Sequence, residues 1–293
     1  MLFKGSGVAL VTPFNEDLTI NYERLEELIN FHIESNTDAI IVCGTTGESS
    51  TLSTEEKKNV IKFSVQCSKN KIPIIAGTGS NNTESAVEMT KYAEKCGADG
   101  VLVVTPYYNK CSQDGLYLHY KKIADNTSIP LILYNVPSRT GVNILPETVL
   151  RLSEVKNIQA IKEASSDISQ IVKLASILPN NFYIYSGNDD QILPILSVGG
   201  KGVISVAANI FPNEIHNLCY SYFDDDISKA QEIQFKYLKL IKNLFSDVNP
   251  IPIKEAMNYL DFDVGPTRLP LSHMDREKSN QLKKSILKLY EKN

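Results

Sequence analysis

Residues 39–76 read AIIVCGTTGESSTLSTEEKKNVIKFSVQCSKNKIPIIA. Two short aliphatic runs, 39–42 and 73–76, bracket a loop rich in glycine and hydroxyls and a longer mixed segment. The runs are continuous in Ile, Val and Ala rather than alternating with polar residues, the pattern of parallel strands covered on both faces. Ser53-x-x-Glu56 forms a capping box that opens a helix between them. This strand, loop, helix, strand unit recurs, with further apolar runs at 7–12, 100–104, 130–134, 158–161, 183–185 and 202–206. Eight runs with helices between them predict an α/β fold, a closed (β/α)8 TIM barrel rather than an open doubly wound sheet.

Helical patterning between the runs is just as regular. In 21–35, Leu25, Leu28, Ile29 and His32 recur at helical spacing behind Asn21 as a cap. Asn82, Asp114 and Pro212 read as further helix starts. After the last barrel helix, near Asp224, helical patterning continues at 227–245 and 278–290 with no Pro/Gly/Ser-rich linker. The expected organisation is a catalytic barrel over 1–224 and a C-terminal helical region, 225–293, packed on it.

Composition narrows the partners. A chain of 293 residues, 42% hydrophobic and 22% charged with formal net charge −4, can bury a large core and has no basic excess for nucleic acid or anionic lipid. The first residues lack the regions of a signal peptide, and no apolar run approaches the roughly 20 residues of a membrane span. A small-molecule enzyme of the cytoplasm is expected, without nucleic-acid or membrane partners. Cys43, Cys67, Cys96, Cys111 and Cys219 are scattered singly and read as reduced, buried thiols. His32, His119, His216 and His273 stand too far apart in sequence to suggest a ligand pair, so no metal and no other cofactor is expected.

In such a barrel the chemistry sits at the C-terminal strand ends. Lys162 directly follows the run 158–161 and is placed to project into the barrel mouth, where burial disfavours an ammonium and favours a nucleophilic amine; the plain alternative is an ion pair with Glu163. Gly44-Thr45-Thr46-Gly47 could hold a carboxylate with backbone N–H groups at a helix start, or be an ordinary turn. Gly77-Thr78-Gly79-Ser80 reads as tight-turn chemistry at the rim. Tyr134 ends a strand and could relay protons or be a satisfied core phenol. Arg139, in a Pro-Ser-Arg-Thr-Gly loop, could clamp a carboxylate or make a surface ion pair. The pair Tyr107-Tyr108 could equally be core or interface packing.

Taken together, Gly-Thr-Thr-Gly-Glu-Ser at 44–49, Thr-Pro-Tyr-Tyr-Asn at 105–109, Tyr-Asn-Val-Pro-Ser-Arg-Thr-Gly at 134–141 and the strand ending in Lys162 resemble the dihydrodipicolinate synthase family over nearly the whole chain. The resemblance implies condensation of pyruvate with L-aspartate 4-semialdehyde to 4-hydroxy-tetrahydrodipicolinate, in diaminopimelate and lysine biosynthesis. It implies that Lys162 forms the Schiff base and that Thr45 and Thr46 hold the pyruvate carboxylate. Thr46 would also join Tyr134 and Tyr108 in a hydroxyl relay, with Tyr108 donated across a dimer interface. Arg139 would bind the second carboxylate, with Gly187 and Ile204 lining the pocket through their backbones. The family also implies a homotetramer built as a dimer of dimers. Where some members bind inhibitory lysine through a histidine and a glutamate, this sequence has Lys57 and Ser85, so weak or absent inhibition by lysine is expected.

Two other readings remain open at this point. A sister aldolase, N-acetylneuraminate lyase or a 2-keto-3-deoxy sugar acid aldolase, would share the lysine and the tyrosine. Arg139 and the second threonine, Thr46, favour a short acidic aldehyde over a sugar. A barrel that had become a non-catalytic sensor would be expected to have lost Lys162, Tyr134 or Thr46, and all three are present.

Overall fold

The aliphatic runs form eight parallel strands in a computed structural model that describes residues 1–290. They are β1 (Gly5–Ala9), β2 (Ala39–Val42), β3 (Ile74–Gly77), β4 (Gly100–Val104), β5 (Leu131–Asn135), β6 (Ile158–Glu163), β7 (Tyr183–Ser186) and β8 (Gly202–Ser205). Each pairs with the next, and β8 closes on β1 with Gly7 opposite Ile204. The architecture is the expected (β/α)8 barrel.

Successive strand residues face opposite ways, which sorts the aliphatic side chains into two cores. Leu131 and Leu133 of β5 join the layer under the helices, while Ile132 and Tyr134 point into the barrel. An irregularity in β6 sets the facing of its end. Leu131 pairs with Ile158 but Ile132 pairs with Ala160, so Gln159 is an extra residue. Ile158 faces outward; beyond the extra residue Ala160 faces inward and Ile161 outward. A one-residue insertion swaps faces in this way, and here it turns the side of the strand carrying Lys162 into the barrel. At the opposite end, Phe3 stacks on Tyr185 at 4.3 Å and accepts its hydroxyl at 2.5 Å, filling the interior.

The helices carry the expected start signals. Asn21 accepts the Arg24 N–H at 2.9 Å ahead of Tyr22–Glu34, which buries Leu25, Leu28, Ile29 and His32. Both halves of the box form ahead of Thr54–Ser68: Ser53 N–H donates to Glu56 at 2.8 Å, and Glu56 N–H to Ser53 at 3.2 Å. Asn82 caps Thr83–Cys96, and Pro212 opens Pro212–Phe223. The start expected at Asp114 belongs to Ser112, whose hydroxyl takes the Gly115 N–H at 3.2 Å.

The run 7–12 is strand only as far as Ala9. Leu10, Val11 and Thr12 are buried for a different reason: the chain passes beneath the β2 loop, and the Thr12 hydroxyl donates to Gly47 O at 2.7 Å. Beyond residue 224, helices Ile227–Leu244 and Arg276–Tyr290 match the patterning. A third, Ile251–Tyr259, was not expected; Pro250 is its N-cap and Pro252 lies in its first turn, positions where a missing N–H costs nothing.

Candidate active site

Two adjacent strand ends make the centre of the site. Lys162 lies opposite Tyr134 in register, both side chains are buried, and the lysine Nζ stands 4.4 Å from the centre of the tyrosine ring. Lys162 is the penultimate residue of β6 rather than one past its end. Glu163 is not its partner. That carboxylate faces the other way, takes the Asn135 amide at 3.0 and 3.1 Å and the Ser165 N–H at 2.7 Å, and burial raises its pKa. Among the described residues Lys162 makes no ion pair. Asp189 is the buried carboxylate that feels its charge: burial raises the Asp189 pKa, opposed by hydrogen bonds from Ser205, Ala207 and Val206 and by Lys162.

Gly187, just past β7, gives the lysine its room. A Cβ there would lie 2.6 Å from Ala164 Cβ, 3.0 Å from Glu163 O and 3.2 Å from Lys162 Cε. Its own N–H donates to Glu163 O at 2.7 Å, which fixes the approach of the two strand ends. Ile204 is fully buried in β8 and belongs to the barrel interior.

A cleft of about 280 Å³ opens above, lined by Thr45, Lys57, Tyr107, Val136 and Arg139 among others, and it shares walls with a smaller hollow that reaches Tyr134. Thr45 lines both. Thr46 is buried and lines neither; its hydroxyl oxygen accepts from the Asn249 side-chain amide at 3.0 Å. Of the two threonines, Thr45 is the one that lines the hollow reaching Tyr134. The helix after this loop begins only at Thr54, so no helix start backs residues 44–47.

Arg139 sits in a single helical turn, Pro137–Thr140, rather than in a loop. Its guanidinium donates to Asn249 O at 3.3 Å, and among the described residues it makes no ion pair. Gly77 and Gly79 are required by close packing and not by turns: a Cβ would lie 2.2 Å from Cys43 O at the first and 2.5 Å from Val104 N at the second. Tyr108 is 90% exposed with φ of 76°, and among the described residues no hydrogen bond or ring contact holds its side chain. Tyr107 is also exposed, which excludes core packing for the pair. Of the cysteines, only Cys43 and Cys219 are buried; Cys67, Cys96 and Cys111 are half-buried, and all five are free.

Sequence reasoning missed the support under this floor. Glu48, at φ of 53°, is fully buried and pairs with buried Lys254 at 2.8 Å, while its second oxygen takes the Arg268 N–H at 2.9 Å. Burial lowers the Lys254 pKa to about 8 against the opposing pull of Glu48. The Arg268 side chain in turn holds Glu56 and the carbonyls of Leu18 and Thr51. The available signal was Glu48 itself, a charged residue in an otherwise small, neutral motif. Lys57 and Ser85 do share one cavity, of about 470 Å³, but with Lys58, Glu88 and Tyr92.

Comparison with known proteins identifies the family. Residues 2–289 match the model of the Dihydrodipicolinate synthetase family. A 4-hydroxy-tetrahydrodipicolinate synthase 1 of Clostridium acetobutylicum is 56% identical over 97% of both chains, and the 4-hydroxy-tetrahydrodipicolinate synthase of Caldicellulosiruptor bescii is 54% identical over 98% of this chain and 97% of its own. The crystal structure of dihydrodipicolinate synthase from Aquifex aeolicus superposes with a TM-score of 0.96 at 46% identity, covering 99% of this chain and 98% of that one. The fold, the ordered motifs and the extent of these matches place the chain in the dihydrodipicolinate synthetase family.

Proposed function

We propose that the chain is a 4-hydroxy-tetrahydrodipicolinate synthase, a class I aldolase-type lyase that condenses pyruvate with L-aspartate 4-semialdehyde in diaminopimelate and lysine biosynthesis. The observation that carries the reading is Lys162, buried at a barrel strand end beside Tyr134, with Gly187 leaving space at its Cε.

The chemistry follows from that placement. The Lys162 amine attacks the pyruvate carbonyl carbon and water leaves, giving a Schiff base. Loss of a methyl proton converts it to an enamine, whose carbon attacks the aldehyde of the second substrate. The new alkoxide takes a proton, the product cyclises, and the heterocycle leaves the lysine. Thr45, Tyr134 and a second copy's Tyr108 move the protons; Thr46 holds the pyruvate carboxylate; Arg139 receives the carboxylate of the aldehyde. The backbones of Gly187 and Ile204 line the pocket. No cofactor takes part.

The reading includes a homotetramer assembled as a dimer of dimers in the cytoplasm. Exposed apolar side chains support assembly: Tyr108 in the loop after β4, Ile168 and Val172 on the helix Ile168–Ile177, Phe235 and Leu238 on the helix Ile227–Leu244. No helix among the described residues is long and apolar enough to cross a membrane.

The test is borohydride reduction in the presence of pyruvate, followed by mass analysis, beside a coupled reductase assay with aspartate semialdehyde. A pyruvate-derived adduct on Lys162, and loss of both adduct and turnover in Lys162→Ala, is the expected result. An adduct with no turnover of aspartate semialdehyde would move the substrate to a sugar-acid aldehyde, and no adduct at all would sink the enzyme reading.

A further inference from the structure

Asn249 stands where the C-terminal region meets the floor of the site, and its two polar ends touch one binding group each. The side-chain Nδ2 donates to Thr46 Oγ1 at 3.0 Å, and the backbone carbonyl accepts from Arg139 at 3.3 Å. Asn249 is only 6% exposed, and its Oδ1 has no partner among the described residues. The helix Ile251–Tyr259 that follows is tied to the loop carrying Thr46 by the buried Lys254–Glu48 pair.

We infer that Asn249 is the positioning residue for both substrates, setting the Thr46 hydroxyl as a donor to the pyruvate carboxylate through its amide and steadying Arg139 for the aldehyde carboxylate through its carbonyl. The inference rests on the proposed roles of Thr46 and Arg139. A hydroxyl has one hydrogen and two lone pairs, whereas an amide NH2 only donates. Accepting from Asn249 thus occupies a lone pair of Thr46 and leaves its hydrogen for another acceptor. Among the described residues no protein group takes that hydrogen, which stays free for the carboxylate that the proposed role of Thr46 brings to it. Asn249 therefore orients two groups that bind different molecules through chemically separable contacts.

That separation makes the test. Steady-state constants for both substrates are measured on the wild type, Asn249→Ala, Asn249→Asp, Thr46→Val and the double variant Thr46→Val/Asn249→Ala, with borohydride trapping of pyruvate alongside. Asn249→Ala keeps the carbonyl and loses the amide, so KM for pyruvate rises about tenfold while KM for the aldehyde stays within about twofold. Asn249→Asp, nearly isosteric, offers only acceptors, draws the Thr46 hydrogen away and raises KM for pyruvate further. It carries the test alone if the alanine variant does not fold. In the double variant, Asn249→Ala adds nothing to Thr46→Val, because both act through one hydroxyl. An aspartate variant with wild-type KM for pyruvate, or losses that multiply in the double variant, overturns the inference. A wild type that traps no pyruvate would instead overturn the proposed function, so the two failures are distinct.

Discussion

A Cβ added to Gly187 would press on three atoms at once, and the one that matters for chemistry is Lys162 Cε at 3.2 Å. The contacts with Ala164 Cβ and the Glu163 carbonyl can be relieved only by moving the backbone that follows Lys162, which carries the lysine with it, and displacing a reacting group by about 1 Å costs on the order of a hundredfold in rate. Gly187→Ala should therefore lower kcat about a hundredfold, measured in the coupled assay, while the folded protein persists. Adding Ala164→Gly removes the methyl 2.6 Å away and should return part of the loss. Full activity in Gly187→Ala would show that the pocket wall is not set by this contact. Lys162 and Tyr134 were legible in the sequence because each ends an apolar run. Gly187 was legible only through resemblance, since what it contributes is empty space. Between Thr45 and Thr46 the sequence offers no choice, as adjacent hydroxyls differ only in which way the loop turns them.

Elements were legible where one interaction decides them. A capping box or an Asn cap is local, and those helices start where the residues say. The extra residue in β6 was not legible, because Gln159 is a bulge only relative to its partner strand. The run at 7–12 failed for a related reason: burial beneath a loop looks in sequence like burial in a sheet. The Glu56–Arg268 pair shows how a local cap is also a long-range tie, for Glu56 serves Ser53 and the C-terminal segment together. The hydrogen bond from Arg268 is the largest cause holding the Glu56 pKa down, from 4.5 to about 2. A carboxyl lowered on folding stabilises the protein above its unfolded pKa, and that stability is lost as pH falls from about 4.5 toward 2. Allowing for the partial exposure of Glu56, the contribution is about 1–2 kcal/mol. In urea unfolding at a series of pH values, wild type should exceed Glu56→Gln by that margin near pH 6, the gap closing below about pH 4. A gap that does not change with pH would mean the pair contributes no charge-dependent stability.

At the scale of the whole molecule, two surface features yield expectations. In the cavity holding Lys57, Lys58 and Ser85, Lys58 is paired with Glu55 at 3.1 Å, Lys57 adds a further cation, and Ser85 offers no carboxylate for an amine. A lysine ligand brings a further ammonium into that field, so half-inhibition at submillimolar lysine should be absent from a titration of the coupled assay. Tyr108 poses the larger question. A bulky side chain at φ of 76° and 90% exposed makes no hydrogen bond or ring contact among the described residues, although such a backbone conformation costs on the order of 1–3 kcal/mol. If a second copy supplies the compensation and receives Tyr108 in its site, each site takes Lys162 from one chain and Tyr108 from the other. Lys162→Ala and Tyr108→Phe, each inactive or nearly so alone, should then complement when the two chains are unfolded together and refolded at equal amounts. Random pairing makes half the dimers mixed, and each mixed dimer holds one intact site of two, so about one quarter of wild-type activity returns. Activity no greater than the sum of the separate variants would place both residues in the site of a single chain, and the exposed Tyr108 would then need a rearrangement of its own loop to reach Lys162.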